Sequence, residues 1–375
     1  MIIGIDGNEA NLEKRVGTNQ YAFELLWSFY RIVNRLGGDK RFLIYLKSMP
    51  NGDLPPENDK WNYKVIKGGG KWILTRLMPS LWTSEKPDVF FSPNHYLPPL
   101  ARVPKVCTIH DLGYLYYSEQ FKKYDFWQLK YWTAISIFVS KCIITVSKST
   151  EKDIVRHYPN VANKVQVIYH GYDKKRFKKN INVSVVRRVR KKYKIPKNYI
   201  LYLGTFKPSK NVEGLVEAFK LLTVENKDLA LVIAGKKGWL YGTIYEKVKS
   251  LELEDRVVFT GYVDEDDKPA LMKGAVVFTS PSFWEGFGIP VLESMACGTP
   301  VVVSRIASLP EVAGDAGIYV DPSNFKSIYH GMKKVLDFSD KEYSLQSEKV
   351  LERSKKFSWK KSAEKTAKIL MEAAK

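Results

Sequence analysis

With 375 residues, 45% of them hydrophobic and 13% aromatic, the chain has the length for two domains with separate cores and is too apolar to be disordered. The formal charge of +20 favours anionic partners, whether nucleic acid, anionic lipid or phosphorylated small molecules, with simple solubility as the plainer reading. The three cysteines, Cys107, Cys142 and Cys297, are spaced for neither a disulfide framework nor a zinc knuckle, so a reducing compartment and no cysteine-held metal are expected.

The chain opens at once on the strand-like "MIIGIDG", so no secretory leader is expected. Further runs that read as strands cover 41–46, 62–67, 87–93, 104–111, 141–147 and 164–171. The longest apolar run, 133–146, is interrupted by Lys141 and falls short of the roughly 20 residues that span a bilayer. A cytoplasmic protein is therefore expected, or one held on a membrane from its surface. Within "GYLYYSEQFKKYDFWQLKYW" (113–132) aromatics and lysines interleave, as at membrane interfaces or as in a helix packed on its own domain. "KGGGKW" (67–72) lacks the spacing of a phosphate loop and reads as a flexible loop.

Between Lys174 and Lys194 stand eleven Lys or Arg and no acid. Beyond them the rhythm is regular: strands at 199–204, 229–235, 257–261, 276–282, 300–304 and 317–322, with helices between. Asn211 is placed to cap the helix "NVEGLVEAFKLL". Short Val/Ile-rich runs separated by helices indicate parallel strands buried on both faces, in doubly wound α/β sheets whose ligands sit at the carboxyl ends of the strands. The expected organisation is an N-terminal Rossmann-like domain, residues 1–173 and 358–375, a basic linker over 174–196, and a C-terminal Rossmann-like domain, 197–357. The final segment has helical spacing of Trp359, Ala363, Ala367 and Leu370 and is expected to cross back to the first domain.

The stretch "WEGFGIPVLESMACGTPVVVS" (284–304) holds two carboxylates at a fixed interval. Pro290 suits a first helical turn and Gly298 a stop, so Glu285 falls in the loop before a helix and Glu293 about 6–7 Å along its axis. The glycines between them expose backbone N–H groups at a positive helix end, which attracts phosphate. An anion at the helix tip with a carboxylate on each side suits a sugar linked to a nucleotide diphosphate. A solvated loop glutamate with a helix surface pair is the plainer alternative. Lys210, at the tip of "GTFKPSKN", is placed to neutralise a leaving diphosphate or else faces solvent. His110 ends a strand on the same ligand side, as a structural histidine or a hydroxyl contact, with Asp111 beside it orienting local backbone. No compact Asp-x-Asp or paired-histidine motif calls for a metal.

"SPSFWEGFGIPVLESMACGTPVVVS", followed by "SLPEVAGDAGIYVDPSN", closely resembles the retaining glycosyltransferases of family four, whose mark is Glu-x7-Glu and whose fold is GT-B, two Rossmann-like domains facing a central cleft. The resemblance implies that Glu285 meets donor-sugar hydroxyls and Glu293 the nucleotide ribose. It implies that Phe287, Gly288 and Ile289 meet sugar and diphosphate through backbone groups, and that His110 lies near both. Gly17 matches a small loop near the diphosphate, although Asn19 stands where a second glycine is usual. Val263, in "GYVDEDD", matches a segment whose backbone meets the base. Lys210 keeps the family's lysine, but Thr205 stands where an arginine is usual, so Lys207 is the substitute. The implied activity is metal-independent, cofactor-free transfer of a hexosyl group with retained configuration. "KKGWLYGTIYEK" beside "VIAG" looks like bacterial mannosyltransferases, which makes GDP-mannose the first donor. Expected partners are the nucleotide sugar, a glycan or lipid-linked acceptor and an anionic membrane surface, without nucleic acid. The alternatives are a catalytically degenerate member that binds sugar or a partner, and a basic nucleic-acid-binding protein; no nucleic-acid module is present for the latter.

Overall fold

The structure, a computed structural model, describes residues 1–83, 86–236, 238 and 241–375. It comprises two compact units, one of Met1–Tyr116, Lys122–Gly171 and Ser358–Lys375, the other of Tyr117–Phe121 and Tyr172–Phe357.

The first unit holds seven strands: β1 (Ile2–Asp6), β2 (Arg41–Leu46), β3 (Trp61–Val65), β4 (Val89–Ser92), β5 (Lys105–Ile109), β6 (Cys142–Thr145) and β7 (Val165–Val167). They pair in parallel in the order β3-β2-β1-β4-β5-β6-β7. Its helices are α1 (Thr18–Ile32), the short α2 (Met78–Ser80), α3 (Lys123–Val139), α4 (Lys148–His157) and the closing helix of the chain. Every residue of β4 and β5 is buried, as strands covered on both faces require.

The closing helix, α13 (Trp359–Ala373), belongs to this first unit, as its spacing predicted. Trp359, Ala363, Ala367 and Leu370 sink into the core formed by Ile3, Ile5, Phe29, Phe42, Trp61 and Phe91. Burial of Leu370 alone is worth about 1.5–3 kcal/mol. Gly171 makes the approach possible, because a Cβ there would stand 2.0 Å from the Trp359 nitrogen.

The second unit carries β8 (Asn198–Leu203), β9 (Leu229–Ala234), β10 (Val257–Gly261), β11 (Val277–Ser280), β12 (Val301–Ser304) and β13 (Ile318–Val320), parallel in the order β10-β9-β8-β11-β12-β13. Its helices are α5 (Val183–Lys192), α6 (Val212–Glu225), α7 (Gly242–Ser250), α8 (Lys268–Gly274), α9 (Ile289–Ala296), α10 (Leu309–Ala313), α11 (Phe325–Leu336) and α12 (Asp340–Ser354). Local chemistry starts several of these. Asn324 accepts from Lys326 and Ser327 at the head of α11, and Ser339 with Glu342 forms a capping box on α12.

Helix α5 forms within the basic stretch 174–196 and packs on α8. Lys192 Nζ stands 2.6 Å from carboxylate oxygens of both Asp264 and Asp267, and Arg176 lies 3.7 Å from Glu265. The positive run therefore meets the acidic cluster of "GYVDEDD", and the two carboxylates hold Lys192 above its ordinary pKa.

Strand order reverses between β1 and β4 in the first sheet and between β8 and β11 in the second. At such a switch point neighbouring strands send their following loops in opposite directions, which opens a crevice at the carboxyl ends.

Candidate functional site

At the switch point of the second sheet, β8 runs into the 204–211 loop and β11 into the 281–288 loop. The loops are sewn together by backbone: the Ser209 carbonyl accepts from the N–H of Phe283 at 2.9 Å and of Trp284 at 3.3 Å. Asn211 precedes α6 with a left-handed backbone, φ 54°, and its side chain makes no cap. The expected capping role is corrected. Its amide Nδ2 donates instead to the carbonyls of Pro281 at 3.1 Å and Pro322 at 2.7 Å, two loop acceptors.

This stitching brings Lys210 and Glu285 together. Lys210 Nζ lies 2.7 Å from Glu285 Oε2 and donates to the Trp284 carbonyl at 3.2 Å. Ser282 Oγ donates to Glu285 Oε1 at 3.2 Å, and Ser308 Oγ donates to the Glu285 carbonyl at 2.8 Å. Side-chain exposures of 15% and 18% place the pair between a solvated surface bridge and a sealed core pair. In that setting charges act strongly and a ligand can still reach them. Below them the phenol of Tyr202 is held well above its ordinary pKa, by burial first and then by the charges of Glu285 and Glu213.

Helix α9 begins beside this pair. Gly288 enters it at φ 93°, and a Cβ there would stand 2.9 Å from Leu309 Cδ2, so both conformation and space call for glycine. Pro290 occupies the first turn as expected. Phe287 is buried with its ring 5.7 Å from that of Phe357, which anchors the loop so that backbone rather than side chain is presented at the helix start. Ile289 is half-buried, and Glu293 is buried one turn into the helix. Burial, and then the neighbouring Glu293, raises the pKa of the Cys297 thiol. Of the remaining sequence candidates, Thr205 is half-buried with its carbonyl 3.5 Å from the Tyr202 hydroxyl, and Lys207 precedes the turn that carries Lys210. The Val263 side chain is buried, which leaves only its backbone for a ligand. Within "KKGWLYGTIYEK", Lys237, Trp239 and Leu240 lie outside the described residues.

His110 and Gly17 belong to the first unit. Nε2 of His110 donates to the Pro93 carbonyl at 2.9 Å, and Tyr21 meets the ring edge-on at 4.8 Å. Burial of the ring lowers its pKa, so the imidazole is neutral, and with Nε2 donating, Nδ1 is an acceptor. Asp111 does orient backbone, accepting from Gly113 N–H at 2.7 Å. Gly17 precedes α1 at φ 54°, with open space where a Cβ would stand.

The residue that sequence reasoning missed is Glu9, just past β1 at the first switch point. Its Oε1 accepts from Asn94 Nδ2 at 3.0 Å, and its Oε2 accepts from Asn19 Nδ2. The asparagine that departs from the family's glycine thus positions a carboxylate. His95, next to Asn94, has its pKa pushed down to about 3, by burial first and then by His110. Its Nε2 is buried without a hydrogen-bond partner among the described residues. The signal for Glu9 was its place just after the first strand; its partner Asn94, in the loop after β4, becomes evident only with the sheet order. Among the described residues no three of His, Cys, Asp and Glu gather as a metal site.

Comparison with known proteins shows the family and the fold. The family described as Glycosyl transferases group 1 matches residues 185–350, and Glycosyltransferase Family 4 matches residues 50–176. The O-antigen chain mannosyltransferase B of Escherichia coli is 33% identical over 278 residues, covering 73% of this chain and 71% of its own. Sucrose-phosphate synthase from Thermosynechococcus elongatus superposes with a TM-score of 0.78 at 19% identity over 99% of this chain and 98% of its own. Anabaena HepE, solved in complex with UDP and glucose, gives 0.76 at 19% identity over 99% of both chains. These likenesses show the fold, two Rossmann-like halves of the GT-B kind.

Proposed function

The chain belongs to the glycosyltransferases of group 1, and from that premise we propose that it moves a hexosyl group, mannosyl first, from a nucleotide diphosphate sugar such as GDP-mannose to a hydroxyl of a glycan or lipid-linked saccharide, with retained configuration and without a metal. The observation that carries this reading is the Lys210–Glu285 pair at the second switch point, beside the start of α9. A cation and the positive end of a helix favour a diphosphate, and a fixed carboxylate next to them favours sugar hydroxyls. The mannosyl assignment draws on the mannosyltransferase relative.

Glu285 and Glu293 bind the two sugars that flank the diphosphate, so neither serves as a nucleophile. The acceptor oxygen bonds to the anomeric carbon on the face that the diphosphate leaves. As the carbon–oxygen bond to the phosphate breaks, the departing phosphate oxygen takes the acceptor's proton. Lys210 and the backbone of Gly288 and Ile289 stabilise the charge that accumulates there, which supplies the positive field without an ion. Thr205 offers a neutral hydroxyl where relatives of the family place a cation, and Lys207 restores a positive charge nearby. In the first unit Glu9, fixed by two amides, accepts from an acceptor hydroxyl, and His110 accepts from a sugar hydroxyl through Nδ1.

Incubation with a panel of nucleotide sugars tests the proposal. Selective release of GDP from GDP-mannose, undiminished by EDTA, with an α-linked product by NMR, is the expected outcome. Nucleotide binding without transfer to any glycan acceptor identifies a catalytically degenerate member, and the absence of any nucleotide binding overturns the reading.

A further inference from the structure

We propose that the outer face of α3, together with a lysine-lined cavity at its end, docks the first unit onto an anionic lipid surface. Helix α3 is apolar on two sides. One side is accounted for: Thr133, Ser136 and Ile137 are buried, Trp132 Nε1 donates to the Leu97 carbonyl at 3.2 Å, and Ser136 Oγ accepts from Leu97 N–H at 3.0 Å. The other side presents Tyr124, Trp127, Tyr131, Ile135 and Phe138, with exposures of 75%, 45%, 60%, 44% and 58%. Steps of three and four residues align these five in a single stripe along the helix. An exposed apolar stripe of this length on a folded unit marks an interaction surface.

Its composition selects the partner. Trp and Tyr carry an apolar ring with a polar tip and are favoured where hydrocarbon meets headgroups. Trp127 and Tyr131 stack at 5.4 Å, and Lys130 Nζ lies 4.9 Å from the Trp127 ring, so a cation stands among the aromatics. At the far end of the stripe the Phe138 carbonyl accepts from Lys164 Nζ at 2.9 Å. Lys164, with Lys141, Lys365 and Lys368, lines a cavity of about 450 Å³ between β7 and α13, where Glu372 is the acidic lining residue. Lys141 Nζ also donates to the Ala373 carbonyl at 2.9 Å, which turns its charge toward this end of α13. Rings to enter the interface and lysines to meet headgroup phosphates are the two components of surface attachment. Among the described residues no helix is long and apolar enough to cross a membrane, so the mode is attachment in the surface plane.

Docking rests on the glycosyltransferase reading only for its purpose, to meet a lipid-linked acceptor where it resides, and its test needs no activity. The full chain is sedimented with vesicles of phosphatidylcholine alone and of phosphatidylcholine with phosphatidylglycerol. Expected is binding to the mixed vesicles, weakened by salt, with the tryptophan emission shifted to the blue. Trp127→Ser with Tyr131→Ser, and separately Lys365→Glu with Lys368→Glu, should each lower vesicle affinity by roughly tenfold or more. Both variants should keep the parent's unfolding midpoint and its release of nucleotide from a soluble donor. Tyr124→Ser, at the most exposed position, repeats the test with the least risk to folding. Equal binding to the two vesicle types, parent-like binding by these variants, dimerisation through the stripe, or displacement from vesicles by RNA at equal charge overturns the proposal. Failure of donor turnover with vesicle binding intact counts against the enzymatic reading and leaves docking standing.

Discussion

The two switch points share a topology and differ in chemistry. Both open where strand order reverses in a parallel sheet, β1 against β4 and β8 against β11. The second gathers formal charge, Lys210 against Glu285 beside the positive end of α9. The first sets a single carboxylate among amides and uncharged rings: Glu9 between Asn19 and Asn94, His110 neutral, His95 kept from protonation by burial. A diphosphate brings negative charge that must be met by a cation, whereas a hydroxyl needs an oriented acceptor and no cation. Under the proposed reaction, the second switch point would meet the anionic donor and the first the acceptor hydroxyl.

Removing charge from the second switch point should have the largest effect. Glu285→Ala is expected to lower transfer by roughly 10³-fold, and Lys210→Ala by roughly 10²- to 10³-fold, read as kcat/KM for the donor. Glu285→Ala also leaves a half-enclosed lysine without its carboxylate, so each variant is compared by unfolding midpoint as well. A double variant no worse than Glu285→Ala alone would show that the two act as a unit; full additivity would break the pair into independent residues.

Acid should act on the other region. His95, His110 and His170 all lie in the first unit, and burial lowers the pKa of each. The unfolded chain takes up protons on these rings near pH 6.5 while the folded one does not. The stability these rings contribute is therefore complete above about pH 6.5 and declines as pH falls below it; for His95 the decline is about 1.4 kcal/mol per pH unit and continues down to about pH 3. Chemical unfolding followed between pH 7 and pH 5 should show the first unit weakening ahead of the second. Equal loss in both units would contradict the placing of the buried neutral rings in the first unit alone.

The strands of both sheets were legible because a parallel strand buried on both faces must be a short run of Val, Ile, Leu and Phe, as β9 and β12 are. Glu285, Glu293 and Lys210 were legible for a related reason: their spacing is local to one strand–loop–helix unit each. Glu9 was not, since its meaning comes from Asn94, 85 positions away in the loop after the neighbouring strand β4. The basic run at 174–194 was likewise opaque, because Lys192 finds Asp264 and Asp267 only when α5 packs on α8. Asn211 had the right identity for a cap, yet two loop carbonyls claimed its amide. Long-range hydrogen bonding decides such cases, and a single sequence does not display it.

The finest test of the contrast is Glu9. Two asparagine amides donate to its carboxylate, one to each oxygen, which fixes the group while leaving lone pairs to accept from a ligand. In Glu9→Gln one oxygen becomes an amide that turns donor toward donor, and a charge-assisted bond to the acceptor becomes a weaker neutral one. Loss of one such bond predicts a rise of roughly tenfold in acceptor KM, with little change in donor KM or in hydrolysis of the donor by water. Asn19→Gly, which restores the family's usual residue, releases one of the two amides and should raise acceptor KM by less. It should also lessen the further effect of Glu9→Gln, because the carboxylate it would disturb is already loosened. If Glu9→Gln slows donor hydrolysis as much as transfer, Glu9 serves the nucleotide side, and the division of labour between the two switch points fails.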